Sequence, residues 1–138
     1  MVAQMHKYLD LSYVDSLIGD DNETKIVILS TLLDEVPQEL GKMEELIDSE
    51  DWKVFHEVSH KLKSTLAYLG NDEIFKVNED IMLNARAIEG LLEQKKALND
   101  SEIQRLANDI IENFPSLMRK WYRIEPEVNS AKEELENF

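Results

Sequence analysis

The chain has 138 residues, of which 43% are hydrophobic and 32% charged, and its formal net charge is −14. This composition is typical of one folded domain and excludes a disordered chain. The acidity also argues against nucleic acid as a partner, because a polyanion would be repelled. The chain contains no Cys, which excludes disulfides and thiolate metal sites and is compatible with the cytoplasmic location that we expect. No apolar run approaches the ~18 residues of a membrane span and the N-terminus lacks signal-peptide features, so we expect no membrane partner.

Helical periodicity begins near the N-terminus. Apolar residues over 10–18 are spaced as in a short amphipathic helix, and Gly19 follows it. Asn22 is expected to cap a second, much longer helix that reaches about residue 48. Pro37 lies inside that pattern, and we expect it to kink or locally break the helix because proline lacks a backbone N–H.

The third and fourth helices are joined by a very short connector. The third is predicted over 51–69 and ends at Gly70, a residue type that favours the left-handed conformation found after helices. Asn71 can then cap the fourth helix, which is expected to stop at Gly90. Residues 91–98 are expected to form a connector, and a partly helical connector is the alternative.

The last long helix is predicted to begin at the sequence Asn99-Asp100-Ser101-Glu102, a strong helix-start signal. Pro115 should bend it, and Pro126 should mark its end. We therefore expect a bundle domain over 1–124 and a loosely packed acidic C-terminal tail over 125–138. Four long amphipathic helices with short connectors predict an all-α, antiparallel four-helix bundle with an additional short N-terminal helix.

A helical wheel of the third helix separates two faces. The core stripe is predicted to consist of Phe55, Val58, Leu62, Leu66 and Leu69. The opposite face carries His60 together with Lys53, His56, Lys63, Ser64 and Ala67. We therefore expect His60 to face solvent, with two small neighbours that leave room for a large group and two lysines that supply positive charge. The alternative is an ordinary solvated polar face, since exposed histidines are common.

Two motifs share His60, and the first is a zinc-hydrolase pattern. His56-Glu57-x-x-His60 spells H-E-x-x-H, with Glu79 in reach as a third ligand. The short motif arises often by chance, and the lysines on the same helix oppose a bound metal cation. A ferritin-like di-iron site would need a second E-x-x-H sequence, which the chain lacks. We expect no metal site, and a zinc hydrolase remains a remote alternative.

The second motif consists of His60, Leu62, Lys63 and, ten positions after the histidine, Gly70. This pattern resembles the signature of histidine-containing phosphotransfer (HPt) domains, and the resemblance extends over about 9–122. One departure is Ser64, at a position where the family usually has Gly. Serine is small enough to leave the site accessible to a partner.

The resemblance implies a phosphorelay intermediate of two-component signal transduction. His60 would accept a phosphoryl group from a receiver-domain aspartate and pass it to another receiver domain, while Lys63 would stabilise the phosphoryl oxygens. The residues expected to line the site are Lys53, His56, Ser64, Ala67 and Gly70. The partner would be the receiver domain of a response regulator or of a hybrid histidine kinase, which would supply Mg²⁺.

The chain itself shows no nucleotide-binding loop, so we expect neither a cofactor nor the turnover of a small molecule. We expect a monomer. His56 lacks the Leu and Lys that follow His60 and is not expected to be the acceptor. We expect a solvated side chain, and an interface residue is the alternative. A non-catalytic module of the same fold, which binds receiver domains or other partners without transfer, is the functional alternative that Ser64 keeps open.

Overall fold

The computed structural model describes residues 6–137. Within that range the chain forms five α-helices and one short 3₁₀ helix, without a β-strand. The helices are α1 Ser12–Ile18, α2 Asn22–Asp48, α3 Trp52–Leu66, the 3₁₀ helix Ala67–Leu69, α4 Asp72–Glu93 and α5 Ser101–Glu136. Both α2 and α4 pack against α3 and α5, while α1 contacts the 3₁₀ helix and α2 at one end. The all-α bundle expected from the sequence is confirmed.

The core draws side chains from all four long helices. Most of them are aliphatic, and the largest are the aromatic side chains of Trp52, Phe55 and Trp121, each at most 2% exposed. The rings of Trp52 and Phe55 meet edge to face with their centroids 5.6 Å apart, which is a favourable aromatic geometry. None of the helices in residues 6–137 is both long enough and apolar enough to span a membrane.

Side-chain caps begin all four long helices. The capping residues are Asp21, Asp51, Asn71 and Asp100, and each accepts a hydrogen bond from a backbone N–H two or three residues further on. These bonds satisfy N–H groups that have no partner inside the helix. The predicted cap of α4, Asn71, is confirmed. The cap of α2 lies one residue earlier than expected, since Asn22 is already helical.

Two long helices continue through their prolines. α2 passes through Pro37, where a kink or a local break was expected, without a break. α5 passes through Pro115, where a bend was expected, and through Pro126, where the helix was expected to end. A proline removes only one intrahelical hydrogen bond, and burial of the flanking turns can compensate for that loss. The predicted stop at Gly90 is also wrong, because α4 continues to Glu93 and the two leucines after the glycine pack against the core.

The segment after Pro126 is helical and packed, so the prediction of a helix end there and of a loosely packed tail is wrong. Val128 is fully buried and Ala131 is 3% exposed, and both belong to the hydrophobic core. The core therefore extends beyond the boundary at residue 124 that the sequence suggested. Burial of an apolar face stabilises this part of α5 despite its many glutamates.

Glu127 ties the C-terminal part of α5 to the start of the described chain. Its Oε1 accepts hydrogen bonds from the backbone N–H groups of Tyr8, at 2.7 Å, and Leu9, at 2.9 Å. From the other side, the amide of Asn71 donates to the carbonyl oxygen of Tyr8 at 2.9 Å. The segment before α1 is thus held across the end of the bundle by α5 and by the connector between α3 and α4.

Candidate functional site

His60 lies in the second half of α3, and its side chain is exposed. The opposite face of α3 is in the core, where Phe55, Leu62 and Leu66 are fully buried. Because burial of that face fixes the rotation of the helix, His60 is directed towards solvent. The exposure predicted from the helical wheel is confirmed, and the imidazole can be approached by another macromolecule.

Lys63 follows His60 by one helical turn and lies between α3 and α4. Its Nζ is 3.5 Å from Oε2 of Glu79 and 5.9 Å from the centroid of the Phe75 ring. The side chain is 36% exposed, so this ion pair is held at the edge of the bundle, not inside it. The arrangement keeps an ammonium group on the same side of α3 as His60, where it can bind an anion.

His56 is not the simply solvated side chain that we expected. Its Nδ1 lies 3.0 Å from Oε2 of Glu89 in α4, and its side chain is 24% exposed. It lines a shallow groove of about 240 Å³ together with Arg86, Glu89, Gly90 and Glu93. The rings of His56 and His60 meet edge to face, with centroids 6.2 Å apart and an angle of 65° between their planes. The two histidines are therefore neighbours, but only His56 is held by a carboxylate of α4 in this arrangement.

The small and basic residues around His60 occupy about four turns of the same helical face. Lys53 and Ser64 are exposed, and Ala67 is half-buried in the 3₁₀ helix that continues α3. Ser64 lies one turn after His60, so no large side chain from that position covers the imidazole. This face offers an approaching partner one imidazole, flanking cations and little steric obstruction.

A large part of the chain matches a known family model. Residues 27–113, well over half of the chain, match the family model described as the Hpt domain. The chain belongs to the Hpt domain family. The matched range includes α3 and α4 completely, and so it includes His60, Lys63 and Glu79. No curated protein and no solved structure gave a significant match to the chain.

Gly70 of this Hpt domain lies at the end of the bundle and not beside His60. Ten residues separate the two, which corresponds to roughly 15 Å along a helix. Gly70 has a left-handed backbone with φ of +62°, and a Cβ atom there would overlap the carbonyl oxygen of Asp10. The structure thus explains the glycine by close packing of the N-terminal segment. It does not place Gly70 among the residues that line the histidine site.

The burial of two polar residues of the Hpt domain was not predicted from the sequence. Ser59 and Asn78 are both fully buried between α3 and α4. The amide nitrogen of Asn78 donates to the carbonyl oxygen of Ser59 at 3.0 Å, and the Ser59 hydroxyl donates to the carbonyl oxygen of His56 at 3.0 Å. A signal was present, because Ser59 lies directly beside the core stripe of the helical wheel, next to Leu66. These bonds fix α4 against the backbone that carries the two histidines.

The three ligands of the zinc alternative are not brought together. Among residues 6–137, no group of three or more His, Cys, Asp or Glu side chains is placed to hold a metal ion. Glu79, the expected third ligand, is paired with Lys63, and His56 is paired with Glu89. The side chains of the H-E-x-x-H motif and Glu79 are therefore not arranged as a set of zinc ligands in the described residues.

Proposed function

We propose that this Hpt domain is a phosphorelay intermediate that accepts a phosphoryl group on His60 from an aspartyl phosphate of one receiver domain and passes it to an aspartate of another. The observation that carries the proposal is the exposed imidazole of His60 with the ammonium group of Lys63 one turn away. Both residues lie inside the range that matches the family. Phosphotransfer through histidine in two-component systems is the function that membership of this family implies.

The chemistry needs little from the chain beyond this pair. The lone pair of a neutral ring nitrogen of His60 would attack phosphorus and form a P–N bond. The P–O bond to the aspartyl carboxylate would break, and its electron pair would return to that carboxylate. Lys63 would offset negative charge on the phosphoryl oxygens. Mg²⁺ is expected on the receiver domain, next to the aspartate that reacts.

The charges around His60 suit such a partner. The body of the protein is acidic, with a net charge of −14. On α3, however, Lys53 is exposed on the face that carries His60, and Lys63 lies one turn after the histidine. These two cations would attract the acidic aspartate pocket of a receiver domain and orient the encounter. The partner would be a response regulator or a hybrid histidine kinase, and we place the exchange in the cytoplasm.

The test is transfer from a purified receiver domain that carries ³²P on its aspartate. Wild-type protein should acquire acid-labile phosphate, and His60→Gln should acquire none because the nucleophilic nitrogen is lost. His56→Gln, a variant of the neighbouring histidine, should still be labelled because the acceptor nitrogen of His60 remains. Acid-labile phosphate that persists in His60→Gln would refute the assignment of the acceptor. Binding of the receiver domain by wild-type protein without any transfer would favour the non-catalytic module.

A further inference from the structure

The contact between His56 and Glu89 has no part in the transfer chemistry described above. It joins α3 to α4 at 3.0 Å, one turn before the acceptor histidine. Both side chains are about one quarter exposed, so the contact is neither a core element nor a fully solvated surface pair. A carboxylate that engages one nitrogen of an imidazole also determines what the other nitrogen can do.

Glu89 engages the Nδ1 atom of His56. A carboxylate only accepts hydrogen bonds, so Nδ1 must carry a proton in this contact. The neutral ring then has its free lone pair on Nε2, and a second proton can only be bound there. In the charged ring both nitrogens are donors, with Nδ1–H directed to Glu89 and Nε2–H available to another acceptor.

The position of His56 places its ring next to the acceptor histidine. Residues four apart on a helix are neighbours, and the two imidazole rings have centroids 6.2 Å apart with an edge-to-face arrangement. A phosphoryl group on His60 would add three anionic oxygens within one helical turn of His56. Lys63, the other cation next to that group, is already shared with Glu79.

We propose that His56 is a phosphoryl-binding residue: held by Glu89 through Nδ1–H, it donates its Nε2–H to an oxygen of the phosphoryl group on His60, so phosphorylation of His60 draws a proton onto His56. The inference rests on His60 as the phosphate carrier. In this proposal His56 takes up a proton when His60 is phosphorylated and releases it when the phosphoryl group leaves.

Other charged groups face His56 from α4. Arg86 and Glu93 line the same groove, and they have opposite charges. On α3 the neighbouring titratable groups are His60 and Lys53, and Lys53 lies one turn before His56 on the same face. Neither α2 nor α5 contributes a residue to the part of this groove that the structure describes. The loaded phosphoryl group would therefore be the main change in charge that His56 experiences during the relay.

The test uses phosphoramidate, a small donor that phosphorylates histidine without a receiver domain. In that reaction the P–N bond of phosphoramidate breaks, its nitrogen leaves as ammonia, and a new P–N bond forms on His60. The ring resonances of His56 are followed by NMR as a function of pH before and after loading, with the histidines assigned from His→Gln variants. We expect the titration midpoint of His56 to move upward by about one pH unit, the size of one charge-assisted hydrogen bond.

Two variants separate this role from a merely structural one. Glu89→Ala removes the group that orients the ring, so the upward movement on loading should shrink by at least half. Glu93→Ala removes a carboxylate from the same groove without removing the contact to Nδ1, and it should leave the movement nearly unchanged. Far-ultraviolet circular dichroism checks that both variants remain helical.

The outcomes also distinguish this proposal from the phosphorelay itself. A midpoint of His56 that is the same before and after loading of His60 would overturn the proposal, as would phosphate attached to His56 in place of His60. Neither result depends on a receiver domain. Failure of receiver-to-His60 transfer, with an intact upward movement in the phosphoramidate experiment, would instead count against the proposed function alone.

Discussion

Lys63 and Lys61 differ in what their ammonium groups contact, although both belong to α3. Lys61 reaches Glu39 of α2, whereas Lys63 pairs with Glu79 of α4 on the side of His60. We expect Lys63→Ala to slow phosphotransfer to His60 about tenfold, because it removes one charge-assisted contact to the phosphoryl group. The free energy of unfolding should change by less than about 1 kcal/mol, since the pair is partly exposed. A time course of transfer and urea denaturation measure the two quantities.

Glu79→Gln and Lys76→Ala are the matched controls for Lys63. Glu79→Gln removes the carboxylate that shares the ammonium, so transfer should be unchanged or faster. Lys76 forms an exposed pair with Asp80 on α4, and its replacement should leave the rate unaltered. A rate in Lys63→Ala equal to that of wild type would exclude Lys63 from phosphoryl stabilisation.

Gly70 and Gly41 offer a second comparison at the level of single residues. Gly70 has φ of +62° and directly abuts Asp10, whereas a Cβ atom at Gly41 in α2 would meet nothing within 4 Å. Gly70→Ala should lower the free energy of unfolding by about 2–3 kcal/mol through backbone strain and steric overlap. Gly41→Ala should raise it by about 0.5–1 kcal/mol because alanine favours the helix. Urea denaturation at 25 °C measures both, and equal effects would contradict this account of Gly70.

The end of α5 acts on the bundle through Glu127, which is a contact between elements far apart in sequence. Its carboxylate accepts both the Tyr8 and the Leu9 N–H groups. We expect Glu127→Ala to lower the free energy of unfolding by about 2 kcal/mol, because two backbone donors lose a charged acceptor. Hydrogen exchange at these two amides should become faster. Glu133→Ala, an exposed position of the same helix, should alter neither quantity.

The cap of α2 connects helix stability to pH. Hydrogen bonds from the hydroxyl and then the backbone N–H of Thr24 hold the pKa of Asp21 below its ordinary value. A lowered pKa in the folded state means that the carboxylate stabilises the protein above about pH 4, and that this contribution is lost as the pH falls through the depressed pKa.

Asp21→Asn tests this link, because asparagine also caps helices but does not titrate. The stability difference between wild type and Asp21→Asn should therefore shrink as the pH is lowered from 7 to 3, as measured by urea denaturation at each pH. Asp20→Asn removes the same formal charge without touching the cap hydrogen bonds. An equally steep pH dependence in that control would show that net charge, and not the cap, is responsible.

Across the whole molecule, the features that were predicted correctly from the sequence depend on residue patterns within a single helix or at its ends. Apolar spacing identified the four long helices and the exposed face of His60, and single residues such as Asn71 and Gly70 marked where helices begin and end. These features depend on periods and backbone preferences that operate within a few residues. The fold class and the candidate acceptor could therefore be predicted without coordinates.

What the sequence did not reveal depends on how one helix is rotated against another. The pairs His56–Glu89 and Lys63–Glu79 both require α4 to present particular positions to α3. The C-terminal part of α5 was misjudged for a different reason. Its apolar residues keep helical spacing, but the prediction gave more weight to Pro126 and to the many glutamates. In the structure, burial of these apolar residues stabilises the helix as far as Glu136.

Net charge is the property of the whole molecule with the clearest experimental consequence. The formal charge of −14 at pH 7 makes self-repulsion a general destabilising term. Exposed ion pairs within one helix, such as Lys76–Asp80 and Arg105–Asp109, are individually weak and offset little of it. Raising NaCl from 20 mM to 0.5 M at pH 7 shortens the range of that repulsion, and we expect the free energy of unfolding to rise by about 1 kcal/mol. Near the isoelectric point of about 4.5 the net charge vanishes, so the same addition of salt should have little effect. If salt instead lowers the free energy of unfolding at pH 7, the attraction within the ion pairs outweighs the repulsion between like charges. The net negative charge would then not destabilise the folded protein.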